Sequence, residues 1–295
     1  MIRFFVFSDL HYGELEDGRR RVAELTARAR AQKPDFIVSL GDLCPPEKQN
    51  RWIREALESL DVPVLHTVGN HDTDKHSLAE VMSFLGLSQP YYSFSFKDVN
   101  FVILNTCYLE KAGEVLPLYG RNYKEPGAGP IRYPVIPPKE LEWLDRELDK
   151  SARKGKSCVI FSHHSLVNDF PGRGLYNQAE VRALFRGREV LLCMNGNDHG
   201  DDFRVVDGVP YYLVNSAAYM WCESIVPYRD ALSVWVEIDG HELRVTGMDS
   251  GYITKTPEDA GLQERTWNGV TVAPRASSYS IVRDSAEIGR NKTGA

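Results

Sequence analysis

Five short polar clusters in this chain carry the residue types that hold cations. They read Ser8-Asp9-Leu10-His11, Gly41-Asp42-Leu43, Gly69-Asn70-His71-Asp72, Ser162-His163-His164 and Gly196-Asn197-Asp198-His199, each after an apolar run. Carboxylate, imidazole and amide oxygen together suit divalent metals of intermediate hardness, and an imidazole among them can also move a proton. Residues two apart on an extended chain share a face, so the Asp9 carboxylate and the His11 imidazole are expected to reach one cation. Taken singly, each cluster has an ordinary reading: a capping Asp, a surface or core His, a polar turn at Asn70-His71-Asp72. Five of them, each at a strand end where α/β sheets build their sites, favour one shared centre.

The elements that must position these clusters alternate. Strands are expected over Ile2–Ser8, Phe36–Leu40, Val64–Val68, Phe101–Asn105, Val159–Ser162 and Val190–Asn195. Between them, helical periodicity marks Arg19–Ala31, Lys48–Leu60, Ser77–Leu85, Lys139–Ala152 and Gln178–Phe185, the fourth opened by Pro137-Pro138 and the fifth by Asn177 with Glu180. Four further short strands follow, Phe203–Val206, Tyr211–Val214, Ser233–Ile238 and Leu243–Gly247, with Asp207-Gly208 and Asp239-Gly240 as hairpin turns. The pattern is one of stacked α and β layers. Residues 1–255 read as one domain, and 256–295 as a C-terminal extension packed on it or partly disordered. Cys107–Ile136, rich in Gly, Pro, Tyr and Arg, reads as a functional loop or lid.

The five clusters, in this order, resemble the signature of the calcineurin-like metallophosphoesterases: D-x-H, GD, GNH followed by D or E, H, and G-H-x-H. The resemblance implies a four-layer α/β/β/α sandwich of two mixed sheets flanked by helices. It implies that Asp9, His11, Asp42 and His199 hold a first metal, and that Asp42 bridges to a second held by Asn70, His163 and Asn197. His71 would stabilise the transition state and protonate the leaving oxygen, with Asp72 orienting its ring. His164, pointing away from His163, reads as a supporting residue or a satisfied core histidine. Asn197 stands where the family has the first histidine of G-H-x-H, so the second site is expected to bind more weakly. The cofactors expected are two divalent ions, Mn²⁺ first, with Fe, Zn or Mg as alternatives. Asp198, Asp201 and Asp202 are candidate compensating oxygens, although a solvent-facing acidic turn is their ordinary reading. Pro45 occupies the position of the purple acid phosphatase tyrosine, which excludes an iron–tyrosinate chromophore, and Cys44 beside it reads as a small packed hydrophobe.

The reaction implied is hydrolysis of a small phosphomonoester or phosphodiester by a hydroxide bridging the two metals, without a covalent enzyme intermediate. The other reading is a metal-binding scaffold or interaction module on the same fold, motivated by Asn197 and opposed by His71 and Asp72. Tyr108, Tyr119, Arg121, Tyr123, Arg132 and Tyr133 can clamp phosphate or stack on a ring, or merely pack their loop. Asn215–Cys222 can line the same cleft or form a core edge.

Composition sets the boundaries. With 295 residues, 42% hydrophobic and 26% charged, the chain is an ordinary globular protein with a sizeable core. A net charge of -6 disfavours nucleic acid and anionic membrane as partners. Met1–Phe7 is too short for a membrane span or signal core. Five scattered cysteines without CxxC spacing fit reduced thiols and a cytoplasmic location, where the sequon Asn291-Lys292-Thr293 has no meaning. No heptad marks an oligomer.

Overall fold

The computed structural model describes residues 1–124, 130–240 and 242–282. The expected sequon and the last part of the C-terminal extension lie outside them. Two six-stranded mixed sheets pack face to face between helices, as the resemblance implies.

In the first sheet β1 (Ile2–Phe7), β2 (Phe36–Ser39) and β3 (Val64–His66) run parallel. Beyond β1, the antiparallel strands β15 (Val234–Asp239), β16 (Glu242–Thr246) and β21 (Tyr279–Val282) complete the order β21-β16-β15-β1-β2-β3. In the second, β5 (Val99–Ile103), β9 (Ser157–Ser162), β10 (Val190–Asn195) and β12 (Val209–Leu213) are parallel, edged by antiparallel β4 (Tyr92–Phe96) and β11 (Asp202–Val206). The near-continuous apolar runs of β1, β9 and β10 follow from burial on both faces. Their inward rings lock the sheets together. Phe4 stacks on Phe36 at 4.9 Å and meets Phe101 and Phe161 edge-on at 5.6 and 5.9 Å.

The outer face of the first sheet is covered by α1 (Gly18–Gln32), α2 (Arg51–Glu58) and α3 (Leu78–Leu85), that of the second by α4 (Pro138–Arg153) and α5 (Gln178–Ala183). Ser77 and Glu80 form a reciprocal capping box at α3. At α5 the expected cap does not form, because the Asn177 amide binds the N–H and C=O of Ile136 instead. The Asp207-Gly208 turn joins β11 to β12 with both residues at positive φ, 51° and 76°, the geometry that two-residue hairpins require.

Three short strands lie within the expected loop over Cys107–Ile136. β6 (Tyr108–Lys111) pairs antiparallel with both β7 (Glu114–Pro117) and β8 (Ile131–Val135). Buried Leu109 and Val135 hold this small sheet to the domain. Residues 125–129 of the stretch lie outside the description. Three short antiparallel pairs complete the chain: β13 (Tyr219–Trp221) with β14 (Ile225–Pro227), β17 (Met248–Asp249) with β20 (Arg275–Ala276), and β18 (Thr266–Trp267) with β19 (Val270–Thr271). Among the described residues, no helix is long and apolar enough to cross a membrane.

Candidate active site

Strands β1, β2, β3, β9 and β10 place their carboxyl ends at one edge of the sandwich, and all five polar clusters emerge there. Asp9 and His11 do meet, but not as neighbours on an extended strand. Both sit in the left-handed region, at φ 51° and 45°, as do Asp42 at 51°, Asn197 at 69° and His199 at 52°. Such conformations cost a non-glycine residue of order 1–3 kcal/mol, so the surrounding packing must enforce them. Gly41 and Gly69 make that packing possible. A Cβ on Gly41 would lie 2.6 Å from His163 Nδ1, and one on Gly69 would lie 2.1 Å from Asp42 Oδ1.

Two donor clusters result, Asp9–His11–His199 and Asp9–Asp42–His163, each with ligand atoms within 4.8 Å of one another. His199 donates Nδ1–H to the Tyr219 carbonyl at 2.8 Å, and His163 donates Nδ1–H to Leu40 at 2.7 Å. Carbonyls only accept, so each ring spends Nδ1–H on the backbone and turns Nε2 toward the cluster. His199 Nε2 lies 3.0 Å from His11 Nε2 and 3.3 Å from Asp9 Oδ1. His163 Nε2 lies 3.2 Å from Asp42 Oδ2 and 3.1 Å from Asn70 Oδ1. Asp9 Oδ1 is buried with no hydrogen-bond partner. Carboxylate oxygens, an amide oxygen and imidazole Nε2 atoms converging in a buried site, with Asp9 Oδ1 left without a partner, fit divalent metal.

The charges divide between the two clusters: burial opposes charge on His163, but the Asp42 carboxylate beside it raises its pKa to about 10, so that in the absence of a cation the two form an ion pair. Burial, helped by the neighbouring His199, lowers His11 to about 3 against the pull of Asp42, which keeps the ring neutral. Burial opposes ionisation of Asp42, yet the positive charge of His163, and then of His71, holds its carboxyl well below the usual range.

His71 is placed by its backbone N–H, which donates to Asp42 Oδ1 at 2.8 Å. Its ring is held by Asp74, not Asp72: Nδ1 is 2.9 Å from Asp74 Oδ2. Asp72 instead accepts the backbone N–H groups of Gly69, Asp42 and Leu43 at 2.8, 3.1 and 3.1 Å. Its task is to shape the loops that carry Asp42. Asp74 was missed by sequence reasoning, although its spacing of three from His71 was a usable signal. Asp74 also accepts from Arg121 Nη2 at 2.5 Å.

Of the remaining candidates, Asn197 lines the cleft, donating its N–H to Asp9 Oδ2 at 3.0 Å and its amide to Asp198 at 3.2 Å. Asp198 and Asp201 are buried rather than solvent-facing. Asp198 accepts from Asn168, and Asp201 binds Arg275 and Ser277, while Asp202 pairs with Arg204. These partners fix the C-terminal segment. His164 is a satisfied core histidine, bonded to Thr106 Oγ1 at 2.8 Å and Tyr133 OH at 3.0 Å. Tyr133 stacks on Tyr123 at 4.3 Å. Arg132 pairs with Glu110, Tyr119 is exposed and Tyr108 is half-buried in β6. Cys44 is buried and its thiol is pushed up by burial, as a packed hydrophobe should be. The Asn215–Cys222 segment does reach the site through Tyr219. The cleft above the donors has a volume of about 610 Å³.

The family model of the calcineurin-like phosphoesterases matches residues 2–201. The chain belongs to the calcineurin-like phosphoesterase family. As such it is a metal-dependent phosphoester hydrolase, and a dinuclear divalent site is expected of it. A relative, the manganese-dependent ADP-ribose/CDP-alcohol diphosphatase of Danio rerio, is 23% identical across 66% of this chain and 81% of its own length. A solved dimetal phosphatase from Danio rerio superposes with a TM-score of 0.63 at 16% identity, covering 85% of this chain and 96% of that one. GAP50, the anchor in the inner membrane complex of Plasmodium, shares the fold with a TM-score of 0.57 at 12% identity, over 99% and 93% of the two chains.

Proposed function

We propose that this phosphoesterase works with two Mn²⁺ ions, one held by Asp9, His11, Asp42 and His199, the other by Asp42, Asn70, His163 and Asn197. The observation that carries the reading is the buried convergence of metal-binding donor atoms around Asp9 Oδ1 and Asp42 Oδ2. When bound, the cations neutralise phosphoryl oxygens and activate the attacking water. His71, whose Nδ1 is engaged by Asp74, has Nε2 left to deliver a proton to the leaving oxygen. Burial opposes charge on this ring, but the carboxylates of Asp42 and Asp74 raise its pKa and keep the proton available. Asn197 offers a neutral amide, so the second ion binds more loosely than the first.

The substrate is a small phosphate ester, and among such esters we favour one containing a diphosphate, the class named for the Danio rerio relative. Lys75, Arg121 and Lys124 bring positive charge to the cleft and Trp221 an exposed ring, which suits a polyanion with an organic tail. All five cysteines are buried free thiols, which supports a cytoplasmic setting.

The test is turnover of bis-p-nitrophenyl phosphate, p-nitrophenyl phosphate, ADP-ribose and CDP-choline by metal-stripped protein resupplied with Mn²⁺. Release restored by metal, fastest on the diphosphates and abolished in Asp42→Asn, is the expected result. Metal binding without turnover of any of the four would overturn it.

A further inference from the structure

Arg173 is a cation of the cleft held in place without a direct ion pair among the described residues. Its Nη1 donates to the Asn197 carbonyl at 3.2 Å. With the Asn268 amide turned so that its oxygen also accepts from Trp267 Nε1, Arg173 Nε and Nη2 donate to that oxygen at 3.1 and 3.0 Å. Asn268 is itself anchored, its carbonyl accepting from Asn168 at 3.0 Å. Among the described residues, no carboxylate lies within ion-pairing distance of Arg173, whereas Arg188, Arg204 and Arg275 each pair with an aspartate.

The half-buried guanidinium is hydrogen-bonded only to neutral oxygens. The one carboxylate its charge is seen to stabilise is that of buried Asp198, which it does not touch and whose carboxyl burial raises to about 6 while Arg173 lowers it. Arginine has five N–H donors; three are engaged here, and two remain for a ligand. Arg173 lines the same cleft as His11, Asp42, Asn70 and His71. It also rests on Asn197, whose own N–H binds Asp9. Its charge therefore stands behind the position where an amide replaces an imidazole.

We propose that Arg173 is a phosphate-binding residue of this cleft, gripping non-bridging oxygens of the phosphoryl group through its two remaining N–H donors. The proposal rests on the reading of the cleft as a dinuclear phosphoesterase site. It assigns to Arg173 part of the anion attraction that a loosely held second cation would otherwise supply, so deleting its charge weakens phosphate binding while sparing the metals.

The experiment is calorimetric titration of inorganic phosphate into Mn²⁺-loaded wild type, Arg173→Gln and Arg173→Lys, with a separate Mn²⁺ titration of each. Arg173→Gln is expected to raise the phosphate Kd roughly 10- to 100-fold and Arg173→Lys to recover part of the loss, with Mn²⁺ affinity unchanged or tighter. Asn268→Ala, which frees the guanidinium without deleting it, is expected to raise the phosphate Kd severalfold and serves if Arg173→Gln does not fold. A phosphate Kd unaltered in Arg173→Gln would overturn the proposal, as would loss of Mn²⁺ binding in parallel with phosphate, which marks a structural prop. Wild type that binds two Mn²⁺ but no phosphate would overturn the reading of the site itself.

Discussion

His71 Nδ1 lies 2.9 Å from the carboxylate of Asp74, three residues on, while the adjacent Asp72 turns to three backbone N–H groups. The two aspartates should therefore fail differently. Asp74→Asn is expected to lower kcat about tenfold, more for esters with poor leaving groups than for p-nitrophenyl esters, because it acts through the proton-donating ring. Asp72→Asn would place a donor against N–H groups and cost about 1–3 kcal/mol of stability, read as a fall in Tm. His71→Ala should cost roughly 10²–10⁴ in kcat. Equal leaving-group dependence in wild type and Asp74→Asn would contradict the assignment.

Gly69 is needed for space. Its absent Cβ would fall 2.1 Å from Asp42 Oδ1 and 2.3 Å from Asp42 N, neither of which can yield without moving the carboxylate proposed to bridge the metals. Gly69→Ala is expected to weaken Mn²⁺ binding at least tenfold by calorimetry and to reduce turnover further. Retention of both would mean that the loop after β3 can shift freely.

Buried Asp9 Oδ1 predicts that metal holds the site together. Without a cation this atom has no partner, and three histidines face carboxylates across the same space. Chelation should abolish turnover and lower Tm, and Mn²⁺ at a hundredfold excess over its Kd should restore about 2.7 kcal/mol of stability. A Tm indifferent to chelator would refute this.

Glu140 in α4 supplies a pH signature away from the site. One oxygen accepts the Asn105 N–H at 2.7 Å, the other has no partner, and burial raises the carboxyl well above its ordinary 4.5. The folded state thus binds a proton that the unfolded state has released, so stability from this group is present below pH 4.5 and is lost as pH climbs toward the folded value. Glu140→Gln keeps the acceptor without the charge. Urea denaturation should show near parity with wild type at pH 4.5 and a more stable variant at pH 8, by about 1.4 kcal/mol per unit of the raised pKa up to that pH. A constant difference across this range would remove Glu140 as the cause.

Much of the architecture was legible because burial on two faces writes itself as continuous apolar runs, and the polar residues that follow each run mark its carboxyl end. The Tyr92–Phe96 strand alternates with period two as Tyr-Ser-Phe-Ser-Phe, a weaker signal than the continuous apolar run of β5 that follows it. The small sheet within Cys107–Ile136 was hidden because its strands are short, half-exposed and broken by Gly and Pro. The absent Asn177 cap shows a local rule losing to a tertiary partner, Ile136.

The sequence by itself determined the layered α/β fold and the family, and it singled out seven candidate donors from Asp9 to His199, because residue type and strand-end position are local properties. Only the tertiary structure decided that Asp74 and not Asp72 holds His71, that Asp198 and Asp201 are buried anchors, and that Arg173 stands unpaired over Asn197. Those outcomes depend on which way a side chain turns when a residue distant in sequence offers a better partner. Hydrogen-bond geometry chooses among such partners only after both strands are in place.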